Sequence, residues 1–186
     1  MHRIVGISGN LTRPSRTRTL VEAVLRQAEA RGLGATASYD IIDAGPELGA
    51  ATGRAGLAPA VDRVLAAIEG ADALVVASPV FKASYTGLFK HVFDLIDPKV
   101  LEGRPVILGA TGGSDRHALV IEHHLRPLFA FFRAHVVPTG LYATNADFTA
   151  EGDLAEPMRS RIEPALDELE WALRPRVVAD PALRVA

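Results

Sequence analysis

The chain predicts a doubly wound α/β domain, a parallel sheet covered by helices on both faces. Three observations lead there. Short, nearly unbroken apolar runs at Arg3 to Ile7, Asp72 to Ala77 and Pro105 to Ala110 match strands buried on both sides. Stretches of helical periodicity separate the runs, as crossovers between parallel strands require. Each run ends in a loop of glycine, proline and hydroxyl residues: Ser8 to Thr17, Ser78 to Tyr85, and Thr111 to Ser114. Ligands of such sheets bind beyond the carboxyl ends of the strands, so these loops form the candidate site.

Taken in order, the first strand stops at Gly9, and Ser15 or Thr17 suits the N-cap of a helix. In that helix Leu20, Val21, Val24, Leu25 and Ala28 recur at helical spacing until Gly32. Ala35 to Ile42 reads as the second strand. Asp43 to Pro59, rich in Gly, Ala and Pro, reads as a surface loop. A helix from about Ala60 to Glu69 precedes the third strand, and another from Thr86 to Ile96 stops at Asp97-Pro98. After the fourth strand, His117 to Arg133 predicts a helix with Ile121, Leu125, Leu128 and Phe132 as its core stripe. Pro127 has no N–H for the His123 carbonyl, so a kink or π-bulge is expected there. Val136 to Tyr142 is the fifth strand and Leu154 to Leu173 the closing helix. Residues 1–174 are expected to form one domain and 175–186 a peripheral tail.

The 186 residues, 48% of them hydrophobic, suffice for one large core. A net charge of -2 with mixed signs gives neither a nucleic-acid footprint nor a polybasic membrane surface. The absence of cysteine excludes disulfides, thiolate nucleophiles, iron–sulfur clusters and Cys-type zinc sites. The N-terminus has no apolar region of signal length, and no run approaches the ~18 apolar residues of a membrane span. A cytoplasmic protein without nucleic-acid or membrane partners is expected.

The first loop offers an anion seat, because the N–H groups and positive end of a helix face it. There is no GxxxxGK[ST] and no GxGxxG, which leaves a terminal phosphomonoester. Thr12, Ser15 and Thr17 supply hydroxyls, and Arg13, Arg16 or Arg18 could balance charge. The plain alternative is a solvated turn that only caps a helix. Pro79, Val80, Phe81 and Tyr85 offer surface for stacking a flat ring, with Lys82 and Ser84 adding polar reach. Gly112 and Gly113 let backbone approach such a ring closely. Taken singly, either loop also reads as ordinary punctuation between strand and helix.

Other residues attract blander readings. His123 and His124 beside Glu122 lack metal-ligand spacing and suit solvent or an interface. Asp94 and Asp97 read as surface or cap residues, and His117 as an ordinary first-turn histidine. Phe129, Phe131 and Phe132 read as core or interface, with at least one at an interface. Phe129 and Phe131 fall beyond the one core stripe and would leave an exposed aromatic patch on a monomer. A homo-oligomer, dimer or tetramer, joined partly through the helix from His117 to Arg133 is therefore expected.

Together the motifs resemble a family. Ile7-Ser8-Gly9-Asn10 with Arg13-Pro14-Ser15-Arg16-Thr17, then Ala77 to Lys90, then Ala110-Thr111-Gly112-Gly113-Ser114, are similar to the flavodoxin-like NAD(P)H-dependent FMN reductases. The likeness is strongest to reductase components of alkanesulfonate and methanesulfonate monooxygenases. It implies a three-layer sandwich with a five-stranded parallel sheet in the order 2-1-3-4-5. It also implies FMN, with NADH or NADPH as hydride donor, and reduced flavin passed to a partner monooxygenase. By the same resemblance Asn10, Ser15, Arg16 and Thr17 hold the phosphate. Pro79, Val80, Phe81 and Lys82 flank the ring, and Thr111, Gly112, Gly113 and Ser114 meet its other edge. Relatives often carry serine at position 10, arginine near 12 and tyrosine at 81. Two rival readings are an enzyme that retains FMN and reduces quinones, azo dyes or metal oxyanions, and a flavodoxin-type electron carrier.

Overall fold

A computed structural model describes residues 1–174, so the expected tail lies outside the described residues. Parallel strands β1 (His2–Ser8), β2 (Gly34–Asp40), β3 (Ala73–Pro79), β4 (Pro105–Thr111), β5 (His135–Val136) and β6 (Leu141–Ala143) form one sheet. The order is β2-β1-β3-β4-β5, with β6 also paired to β4. Helices α1 (Arg16–Ala30) and α5 (Met158–Leu173) cover one face. On the other lie α2 (Pro59–Glu69), α3 (Gly87–Asp94) and the segment leading into α4 (Arg126–Phe131). Strand alternation divides the core accordingly. Val106, Leu108 and Ala110 of β4 join the α2–α4 side, while Ile107 joins α1 and α5. A Cβ on Gly6 would lie 2.5 Å from Val21 and 2.7 Å from Leu25, so this glycine lets α1 rest directly on β1.

The structure amends the expected elements in three places. The fifth strand is two short pieces on one edge of β4: His135–Val136 against Pro105–Val106, and Leu141–Ala143 against Gly109–Thr111. Pro138 has no N–H, and Thr139 gives its N–H and its hydroxyl to the Glu168 carboxylate of α5, each at 2.8 Å. The expected helix from His117 is a 3₁₀ turn at Asp115–His117, a π-helical stretch at Ile121–Leu125, and α4. The Arg126 N–H reaches back to Ile121, one residue further than in an α-helix, just before the proline that lacks a donor. The second strand, expected to run to Ile42, stops at Asp40, and two 3₁₀ turns, Ile41–Ala44 and Pro46–Ala50, take up its last two residues and the start of the expected loop, burying Ile41 and Leu48. Among the described residues no helix is long and apolar enough to cross a membrane.

Candidate functional site

The sheet order sets the site. β1, β3 and β4 lie side by side, so the three glycine- and hydroxyl-rich loops emerge together at their carboxyl ends. Hydrogen bonds then join loop to loop. The Thr86 hydroxyl donates to the Gly9 carbonyl at 2.9 Å, and the Thr86 N–H donates to Ser78 Oγ at 3.1 Å. Val80 N–H donates to the Thr111 carbonyl, and the Thr17 and Thr111 hydroxyls lie 2.6 Å apart in the interior. The arrangement encloses a cavity of about 550 Å³.

Asn10, Ser15, Arg16, Thr17, Pro79, Val80, Phe81, Thr111, Gly112 and Gly113 all line that cavity. Lys82 and Ser114 do not. Lys82 and Ala83 adopt φ of 49° and 70° at the tip of a two-residue turn closed by mutual Phe81–Ser84 backbone bonds. Ser114 gives its carbonyl to the Tyr142 hydroxyl at 2.7 Å. Burial raises the pKa of that phenol above its ordinary value, with the Asp115 charge adding to the shift.

At one end of the cavity α1 begins. Ser15 is its N-cap, its hydroxyl accepting from the Arg18 N–H at 3.3 Å, which leaves the first N–H groups of the helix without intrahelical acceptors. Of the three arginines considered for charge balance, Arg16 alone lines the cavity. It donates to Asn145 Oδ1 at 2.8 Å and lies 5.8 Å from the Phe148 ring centre. Arg13 and Arg18 turn instead to Asp40 at the end of β2. The Asn10 side chain is likewise committed, donating to Asp40 at 3.0 Å and to the Thr12 carbonyl at 3.1 Å.

At the other end the two glycines differ. A Cβ on Gly112 would lie 2.1 Å from the Tyr142 hydroxyl, whereas one on Gly113 would meet nothing within 4 Å. Gly112 N–H is bound to the Ala143 carbonyl, while that of Gly113 has no acceptor among the described residues. The room and the free donor at Gly113 suit the polar edge of a flat ligand, and the helix terminus with Arg16 suits its phosphate.

A fourth wall stands where the sequence assigns no site residue, although Leu141-Tyr142-Ala143-Thr144 at its start matches the resembled family. Ala143 at the end of β6 and Thr144, Asn145, Phe148 and Ala150–Gly152 after it complete the lining. Beyond Thr144 the signal is positional, since the loop follows a strand paired to β4. Elsewhere, His124 Nδ1 lies 3.1 Å from Ser84 Oγ, and no group of three potential metal ligands assembles among the described residues. Asp94 pairs with Lys90, and Asp97 caps the Pro98–Leu101 turn.

The model of the family described as NADPH-dependent FMN reductase matches residues 2–149. The chain is 46% identical to the NADH-dependent FMN reductase SfnF of Pseudomonas fluorescens, covering 89% of this chain and 88% of that one. It is 44% identical to an FMN reductase (NADPH) of Pseudomonas aeruginosa, covering 89% of each. Among solved structures, apo NADH:FMN oxidoreductase EMOB superposes with a TM-score of 0.84 at 28% identity, over the full length of both chains. An oxidoreductase from Corynebacterium diphtheriae superposes with a TM-score of 0.79 at 38% identity, over 93% of this chain and 97% of that one. On this evidence the chain belongs to the NADPH-dependent FMN reductase family.

Proposed function

We propose that the chain transfers hydride from NADH or NADPH to FMN and hands reduced FMN to a partner monooxygenase of the sulfonate-cleaving type. The observation that carries the reductase reading is the cavity itself, with a helix terminus and Arg16 at one end and an open glycine edge at the other. Ser15, Arg16 and the first N–H groups of α1 hold the phosphate. Asn10 and Thr17 shape that seat through their contacts with Asp40 and Thr111. Pro79, Val80 and Phe81 flank the ring, with Lys82 at the tip of their turn. Thr111 and the two glycines meet the opposite edge, which Ser114 braces through Tyr142.

FMN supplies the hydride-accepting chemistry. The chain's own groups would orient the ring, and the Gly113 N–H, which has no acceptor among the described residues, would be the donor available to the edge where negative charge builds. The partner role rests on the sequence likeness to sulfonate monooxygenase reductases, and homo-oligomeric assembly belongs to the same reading.

Steady-state oxidation of NADH and NADPH, with free FMN or a quinone as acceptor, tests it. The expected result is turnover that saturates with free FMN and exceeds that with quinone. Turnover with quinone alone on retained flavin, or none with either nucleotide, would overturn it.

A further inference from the structure

Asp40 is a buried carboxylate that stands outside the lining of the cavity. It sits at the carboxyl end of β2, in register with Ser8 at the end of β1, and is 1% exposed. Its Oδ2 accepts from Asn10 Nδ2 at 3.0 Å, Arg13 Nε at 2.7 Å and Arg18 Nη1 at 2.9 Å. Its Oδ1 accepts from Arg13 Nη2 at 2.7 Å and from the N–H groups of Ile42 and Asp43. Asp43 adds a second carboxylate, taking Arg13 Nη2 at 2.7 Å while receiving the Asp40 N–H at 2.9 Å. The Arg13 fork therefore grips one carboxylate bidentately and touches another.

The geometry has a direct consequence for the first loop. Asn10 to Thr12 and Pro14 to Thr17 all line the cavity, yet Arg13 between them does not, because its side chain crosses to β2. Both sides of residues 11 and 12 are thus anchored to one carboxylate. We propose that Asp40 is the positioning residue of the flavin-phosphate seat, holding the Asn10–Arg13 stretch through Asn10 and Arg13 so that its backbone faces the phosphate. The proposal rests on the FMN reading of the cavity. It makes Arg13 and Arg18 part of the frame and leaves Arg16 as the cationic ligand of the seat.

The experiment compares FMN with riboflavin, which lacks the phosphate, by quenching of flavin fluorescence, in wild type, Arg13→Gln, Asp40→Asn and Asp43→Asn. Asp97→Ala, which removes a cap remote from the cavity, controls for lost stability. Arg13→Gln and Asp40→Asn should each weaken FMN binding about tenfold, as loss of a charge-assisted contact does, with riboflavin shifting less than about twofold. KM for FMN should rise with kcat held at saturation. Asp43→Asn should move the same way to a smaller degree, and it carries the comparison if Asp40→Asn does not fold. An unchanged ratio of FMN to riboflavin affinity in Arg13→Gln overturns the proposal. So does weakening in Arg13→Gln alone with FMN bound as tightly or tighter by the aspartate variants, which would make Arg13 a direct phosphate ligand. Wild type that does not prefer FMN to riboflavin would instead remove the reductase reading itself.

Discussion

Gly112 and Gly113 are neighbours with opposite demands. At Gly112 an added side chain collides with the Tyr142 hydroxyl, which is engaged by the Ser114 carbonyl, so Gly112→Val should cost about 1–3 kcal/mol of stability. At Gly113 the space is open, so Gly113→Val should leave the denaturant midpoint unmoved while weakening FMN binding by roughly 1–3 kcal/mol. Full FMN affinity in Gly113→Val would take this loop out of the flavin site. Asp40 sets a dependence on acid. Burial alone would raise its pKa, but hydrogen bonds from Arg13, Asn10 and Arg18 outweigh burial and hold it well below the usual carboxylate range. A carboxylate so depressed contributes its full stability above its unfolded pKa of about 4 and loses it as pH falls toward the folded value. Denaturant midpoints of wild type and Asp40→Asn should therefore differ most above pH ~4 and converge below it. A gap that stays constant down to pH ~3 would contradict the assignment.

The segment from Ile121 to Phe131 shows what an element's sequence discloses and what it conceals. Pro127 announced the irregular turn, because a missing donor is a local fact, and the π-helical stretch lies just before it. The aromatic residues were harder to place. Periodicity puts both Phe129 and Phe131 outside the core stripe, in an exposed interface patch, and for Phe129 this is wrong: it is fully buried with its ring centre 4.9 Å from that of Phe93, while Phe131 is 70% exposed. Phe129 follows Ile121 and Leu125 at successive spacings of four and so continues the buried stripe, whereas Phe131 turns to the opposite side of the helix. Phe129→Ala should thus cost about 3–5 kcal/mol in chemical denaturation and Phe131→Ala less than about 0.5. Equal losses would put both rings in the core. The edge of β4 teaches the same lesson at longer range. Pro138 is visible in the sequence, but the Glu168 carboxylate that takes over the Thr139 donors comes from another helix, 29 positions on.

For the whole molecule, the strand order came only with the family resemblance, but the parallel sheet was legible because buried parallel strands are written as unbroken apolar runs, and it carried three loops of the site with it. Asp40 and the wall after β6 were not, since each acts through tertiary neighbours: Asp40 through the register that sets it beside Ser8, and Asn145 through its bond to Arg16. Assembly follows from the same view. The π-helical turn adjoins the Phe81–Ser84 turn through the His124–Ser84 contact and the edge-on packing of His124 on Tyr85. Around them Leu119 is 63% exposed, Phe81 53% and Phe131 70%, more large apolar surface than an isolated chain gains from exposing. Closed two-fold pairing would cover this region and bring a second copy beside each cavity mouth, and a tetramer would be a pair of such dimers. Sedimentation at micromolar concentration, with and without FMN, should show a dimer or tetramer that Leu119→Glu combined with Phe131→Glu dissociates without unfolding, since both side chains are exposed. A monomer in both conditions would sink the idea, as would an oligomer whose size the double substitution leaves unchanged.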